Sequence, residues 1–189
     1  MNRPLLYITL FAFLLLTAGC SDEKPKNERK GLTGYVIETN YEKKALLVAE
    51  SDKTARDGDY DAEWYFVNDD AILLDRKNNK VLLTDIEVGA EVETWAASPS
   101  LESYPAKTDL SKLVVADDVQ HPHYPMLQKK AIQMALNFVK SLSDKADIFI
   151  VQDAVSTESE WIVRVFTFNA GQKHEISVHA ETGEVKQIK

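Results

Sequence analysis

The sequence predicts an α+β protein in two parts, a small all-β barrel followed by a helix packed on an antiparallel sheet. Three observations carry that prediction. Short apolar runs rich in β-branched and aromatic residues recur from Tyr35 to Val115, broken by polar clusters at turn spacing. The segment His121-Pro122-His123-Tyr124-Pro125 then places two prolines where they remove backbone donors and disfavour helix ahead of them, which marks a boundary. Beyond it, apolar residues fall first at helical spacing and then in alternation.

The chain opens with Arg3, an almost unbroken apolar run from Leu5 to Leu16, and the small residues Thr17, Ala18 and Gly19 leading into Cys20. A positive start, a short apolar core and a small-residue site describe a secretory signal that is cut away. The run is shorter than the roughly twenty residues that a membrane-spanning helix needs. The residues Thr17-Ala18-Gly19-Cys20 resemble the lipobox of bacterial lipoproteins, with Thr17 at the position usually held by leucine. The resemblance implies that Cys20 receives a diacylglyceryl group and becomes the first residue of the mature protein. Two or three acyl chains, at about 0.8 kcal/mol per buried CH₂, then hold the protein on the extracytoplasmic face of the cell membrane.

Loss of residues 1–19 leaves 170 residues, among them 21 basic and 30 acidic, a formal charge of −9. An acidic body repels phosphate backbones and anionic headgroups, so no nucleic-acid partner is expected and membrane contact comes through the lipid. Cys20 is the only cysteine. Intramolecular disulfides, a CxxC redox pair and a further cysteine nucleophile are therefore excluded.

Residues 20–30 carry Asp, Glu, Lys, Asn and Pro after the cysteine and form a solvated tether. Residues 31–120 hold the expected barrel strands: Tyr35-Val36-Ile37, Ala45 to Val48, Trp64 to Val67, Ala71 to Leu74, Val81 to Leu83, Val92 to Trp95 and Leu113 to Val115. Asn40 to Lys44 and Asp75 to Lys80 are expected hairpin turns. The stretch Ile86-Glu87-Val88-Gly89-Ala90-Glu91-Val92, a glycine turn leading into a strand, resembles one found in five-stranded barrels of the oligonucleotide/oligosaccharide-binding (OB) type. Residues from about Gly34 to Val115 also resemble an uncharacterised lipoprotein domain of spore-forming Gram-positive bacteria. The resemblance rests on Gly34-Tyr35-Val36, Ile86 with Val88-Gly89, Val92 to Trp95, and Glu102-Ser103-Tyr104-Pro105-Ala106.

After the Pro-rich linker 121–126, residues 127–189 begin with Leu127, Ala131, Met134, Ala135, Phe138, Val139 and Leu142 on one face of a helix. Strands follow at Ile148 to Val151, Trp161 to Phe168, Glu175 to His179 and Val185 to Ile188, with turns at Asn169 to Gln172 and Glu181 to Gly183. The helix Ala131 to Leu136, the strand Trp161-Ile162-Val163-Arg164-Val165 and the ending Val178-His179-Ala180-Glu181-Thr182-Gly183-Glu184-Val185 resemble the PepSY family. That resemblance implies an extracytoplasmic domain that regulates proteases and has no catalytic residues.

Candidate chemistry is sparse. Asp57, Asp59 and Asp61 alternate like the start of an EF-hand loop, but Ala62 and Asn68 stand where the loop needs glycine and glutamate. An acidic hairpin loop is the plainer expectation. His121 and His123, with Asp117 or Asp118, offer a transition-metal set, although two imidazoles at a polar boundary more often face water. Trp64, Trp95 and Tyr104 offer aromatic surface to a ligand, with core packing as the competing use. Gly-x-Ser-x-Gly, His-Glu-x-x-His and a glycine-rich phosphate loop are all missing from the sequence.

The expectation is thus a cell-surface lipoprotein that is not an enzyme and needs no cofactor. It would bind or regulate an envelope protein such as a peptidase. The alternative is a module that binds a small ligand, a glycan or calcium on the barrel.

Overall fold

The computed structural model describes residues 28–55, 59–142 and 147–188. Five strands form a closed barrel: β1 (Arg29–Asn40), β2 (Ala45–Glu50), β3 (Ala62–Asp75), β4 (Glu91–Ala96) and β5 (Ala106–Val115). Their order is β1-β2-β3-β5-β4, with β4 returning to pair with β1. β3 and β5 run parallel, and the other pairs are antiparallel. The second sheet is β6 (Phe149–Ser156), β7 (Glu160–Thr167), β8 (Gln172–His179) and β9 (Val185–Gln187), in that order and antiparallel, with α1 (Gln128–Leu142) against it. The architecture is therefore mixed α+β, a five-stranded barrel joined to a helix and an antiparallel sheet.

Alternation along β1 and β2 decides how the two parts meet. Val36, Leu46 and Val48 point into the barrel and pack with Tyr65, Ile86, Val92, Leu110 and Leu113. Their neighbours Tyr35, Ile37, Leu47 and Ala49 point outward, yet each is buried. They share one apolar cluster with Ala131, Ile132 and Leu136 of α1 and with Phe149, Ile150 and Val151 of β6. The unbroken run Ala45-Leu46-Leu47-Val48-Ala49 thus belongs to a strand covered on both faces, which is why it does not alternate. Each fully buried Leu or Ile stabilises by roughly 1.5–3 kcal/mol, and for Ile37 and Leu47 that gain exists only when both parts are assembled.

Four elements differ from the sequence expectation. Arg29 and Lys30, expected in the tether, open β1 and pair with Ala96 and Trp95 of β4. Trp64–Val67 and Ala71–Leu74 are one strand, β3, whose pairing with β5 slips between Val67 and Ile72. Val81–Leu83 is not a strand: Lys80 bridges to Leu74, and the chain then turns into a short 3-10 helix, Leu83–Asp85. In α1 the fully buried set is Ala131, Ile132, Ala135, Leu136 and Val139, while Leu127 and Leu142 at the ends are exposed. Ile132 and Leu136 lie off the apolar face that the sequence spacing marks out. They are covered because α1 contacts the barrel as well as the sheet, which widens the buried arc beyond a single stripe.

The glycine turn before β4 is the socket for that helix. Gly89 has φ +87°, and a Cβ there would lie 2.6 Å from the Lys129 carbonyl oxygen and 3.3 Å from Ile132. The same turn is tied down by Gly89 N–H donating to Val36 O at 2.7 Å and by a 2.8 Å ion pair between Lys129 and Glu87. Asp118 accepts the Lys129 N–H at 3.1 Å, satisfying a donor in the first turn of α1. No helix among the described residues is long and apolar enough to cross a membrane.

Gly89→Ala is expected to cost the left-handed penalty of about 1–2 kcal/mol and also to push α1 off the barrel. Gly171→Ala, at φ +64° with nothing within 4 Å of the new Cβ, carries only the backbone cost. Urea unfolding of both variants measures the difference, and equal midpoints would mean that Gly89 is not a docking contact.

Candidate functional site

The strand β7 carries one charge inside an apolar run, Arg164 in Trp161-Ile162-Val163-Arg164-Val165-Phe166. Trp161, Val163 and Val165 join the core shared with α1, so strand alternation puts Arg164 on the opposite face of the sheet. There it stands between Asp153 of β6 and Glu175 of β8, its direct cross-strand neighbours. Its Nη1 lies 2.5 Å from Asp153 Oδ2 and its Nε 3.5 Å from Glu175 Oε1. Two carboxylates thus hold the guanidinium from both sides, one at Nη1 and one at Nε. Beside it lies a cavity of about 180 Å³ lined by Gln152, Arg164, Lys173, His174 and Glu175.

Gln152 joins this cavity to the barrel. It sits where the β6–β7 pairing slips between Val151 and Asp153, and it is buried. Its Nε2 donates to the Tyr60 hydroxyl at 2.6 Å and lies 3.4 Å from Asp52 Oδ1, while the Tyr60 hydroxyl donates to Asp52. The Asp52 N–H donates to Gln152 O at 2.9 Å. Burial first, and then the hydrogen bond to Asp52, raises the Tyr60 pKa. A barrel loop and a sheet strand are therefore laced by one polar network at the margin of the cavity.

The residues singled out from the sequence are dispersed. Cys20 and Asp57 lie outside the described residues. Asp59 and Asp61 are exposed, and Asp61 lies against Glu50, its N–H donating to Glu50 Oε2 at 3.2 Å. His121 is 2% exposed, in an aromatic box with Trp161 at 5.6 Å and Tyr124 at 5.3 Å between ring centroids. Its Nδ1 accepts the His123 N–H at 3.2 Å. Asp118 is engaged with α1 and His123 is exposed. Among the described residues no group of three or more His, Cys, Asp or Glu side chains is placed to hold a metal ion.

The three aromatic candidates do not converge either. Trp64 packs against the core shared by barrel and sheet. Trp95 carries the Lys112 ammonium 4.8 Å from its ring centroid. Tyr104 stacks on Phe168 at 4.1 Å and donates to Tyr60 O at 3.0 Å, a second seam between the two parts.

A further polar cluster closes the barrel end where the chain enters. Glu63 is buried, accepts the Ser100 hydroxyl and lies 3.8 Å from Arg29. Tyr65 beside it accepts the Leu32 N–H at 2.8 Å, and burial followed by its hydrogen bond to Glu63 holds its phenol well above the usual range.

None of Arg164, Asp153, Glu175, Gln152, Tyr60, Asp52 and Lys173 is among the candidates read from the sequence. The available signal was a lone charge in each apolar strand, Asp153 in β6 and Arg164 in β7. Cross-strand register, which pairs those charges, is not written in either strand alone.

Residues 33–117 match a family described as Protein of unknown function (DUF3221), just under half of the chain. The matched span contains β2 to β5 and most of β1, so it is the barrel, as expected for an uncharacterised domain over about Gly34 to Val115. No curated protein and no solved structure matches the chain.

Burial first, then the charges of Asp61, Asp147 and Glu50, pushes the Tyr104 phenol up to about 12, against an ordinary value of about 10. A phenol with its folded pKa raised contributes stability that is complete below about pH 10 and falls as pH rises towards about 12. The absorbance titration of the protein minus that of Tyr104→Phe should show tyrosinate forming near pH 12. A difference midpoint near 10 would contradict the packing of Tyr104 between the two parts.

Proposed function

We propose that the chain is a lipid-anchored, non-catalytic envelope protein that binds and modulates a partner protein, an extracytoplasmic peptidase. In this reading Cys20 carries the lipid and holds the body, whose first strand begins at Arg29, at the outer face of the membrane. The barrel is OB-like, a reading supported by five strands in closed order with β3 and β5 parallel. The carboxy-terminal part is PepSY-like, supported by one helix on a four-stranded antiparallel sheet and by the Gly183 turn at φ +73°.

The observation that carries the proposal is the preorganised Arg164 with its cavity. A guanidinium fixed by Asp153 and Glu175, with Lys173 beside it, suits a carboxylate or backbone carbonyl on a protein surface. Its geometry is set before the partner arrives, so little side-chain entropy is lost on binding. OB-type barrels bind ligands on the face of strands 2 and 3. In this chain that face is covered by α1 and β6, and two of the three aromatic candidates, Trp64 and Tyr104, are used in packing. Protein recognition by the sheet is thereby favoured over a small ligand on the barrel.

A photo-crosslinker at position 173 of the full chain, expressed in its native membrane, should capture an envelope peptidase, and Arg164→Ala should cut the yield at least tenfold. Cys20→Ser should release the chain from the membrane fraction and lower the yield without changing its fold. Equal capture with Arg164→Ala, or no peptidase among the products, would contradict the proposal.

A further inference from the structure

Alternation along β7 sets a stripe on the sheet face turned away from α1. Arg164 faces that way, and Phe166 and Phe168, two and four residues on, continue the same side. Phe168 lies one residue past the strand, yet its N–H donates to Ile148 O at 2.9 Å, which holds it beside the start of β6. The barrel supplies a second wall. Tyr60 meets Phe166 at 5.9 Å between ring centroids, Tyr104 stacks on Phe168 at 4.1 Å, and the Tyr104 hydroxyl joins the two contacts by donating to Tyr60 O. Tyr104 is 41% exposed and Phe168 39%, while Tyr60 and Phe166 are partly exposed. Tyr60 accepts from Gln152, which lines the cavity beside Arg164, so the aromatic seam and the cavity are continuous.

The two ends of the stripe differ in charge. In the cavity, Arg164 is held by Asp153 and Glu175, and Lys173 beside it is exposed and in no ion pair among the described residues. At the Phe168 end stand Asp61, Asp147 and Glu50, close enough to Tyr104 for their charge to act on its phenol. Asp147 is engaged by the N–H groups of Asn169 and Ala170. Asp61 is exposed and, like Lys173, in no ion pair among the described residues.

We propose that this stripe seats an extended segment of the partner protein that carries a carboxylate, an apolar side chain and a cation at alternate positions. The proposal rests on the partner-binding reading above and names the chemistry of what is bound. The carboxylate meets Lys173 and Arg164 in the cavity, the apolar side chain covers Phe166 and Tyr60, and a lysine or arginine lies over Tyr104 beside Asp61. Arg164 to Phe168 spans roughly 13 Å at about 3.3 Å per residue, the same span as the first, third and fifth side chains of an extended segment. Because β7 is flanked by β6 and β8, its edges are already paired and recognition is through side chains.

Amide NMR titration of the full chain in detergent micelles tests it with three pentapeptides, Glu-Ser-Phe-Ser-Arg, Glu-Ser-Phe-Ser-Glu and Arg-Ser-Phe-Ser-Arg, each capped at both ends. The first should bind about tenfold more tightly than the other two and shift residues 164–168 and 173. Lys173→Glu should turn the preference to the peptide with two arginines, and Asp61→Lys to the one with two glutamates. Both positions are exposed, and unchanged amide resonances elsewhere verify the fold. No binding of the mixed peptide at millimolar concentration, equal binding of all three, or variants that keep the wild-type preference overturn the proposal. Peptide binding as predicted without capture of a peptidase contradicts the peptidase reading alone. Capture that falls with Arg164→Ala but not with Asp61→Lys overturns the stripe alone.

Discussion

The structure depends on one shared surface, the outward side chains of β1 and β2. Tyr35, Ile37, Leu47 and Ala49 could face water if the barrel stood alone, but they are apolar and need a cover. That cover is α1 and β6, which in turn would expose Ile132, Leu136 and Ile150 without the barrel. Neither part can withdraw without exposing a contiguous apolar patch, and exposed patches of that kind are costly. The boundary at His121 to Pro125 is therefore a change of secondary structure, and the apolar core runs across it.

Polar contacts then fix the orientation that the apolar core leaves open. Lys129 meets Glu87, Gln152 meets Tyr60 and Asp52, and Tyr104 stacks on Phe168. Hydrogen bonds and ring stacking are directional where hydrophobic burial is not, so they select one docking angle among several that would bury similar area. The same lacing holds β6 with Asp153 beside Arg164. The cavity proposed to meet a partner is thus set by the contact between barrel and sheet.

Much of this was legible in the chain. The apolar runs marked part of each of the nine strands, with β3 read as two runs and only Leu113 to Val115 of β5 marked, because period-2 patterns follow directly from burial. The glycine of Val88-Gly89-Ala90 was visible as a turn, although its closeness to Lys129 is a long-range fact that no local pattern holds. Ile132 and Leu136 misled the helix-face assignment for the same reason, since a second packing partner is invisible to a single-stripe criterion. Val81–Leu83 carries strand-like composition, yet it ends as a 3-10 turn because the rigid Asp75–Asn79 turn allows only a brief return pairing with β3. Of the candidate site nothing was singled out in the chain: Arg164 reads only as one residue of an alternating strand, and its partners depend on register and on the slip at Gln152, which exist only in the assembled sheet.

Barrel and sheet, sharing one apolar core, should fold as one cooperative unit. Scanning calorimetry of the full chain tests it most directly. One transition, with the calorimetric enthalpy equal to the van't Hoff enthalpy, is the predicted result. Two resolved transitions, the first leaving the barrel intact while the helix and second sheet melt, would contradict it.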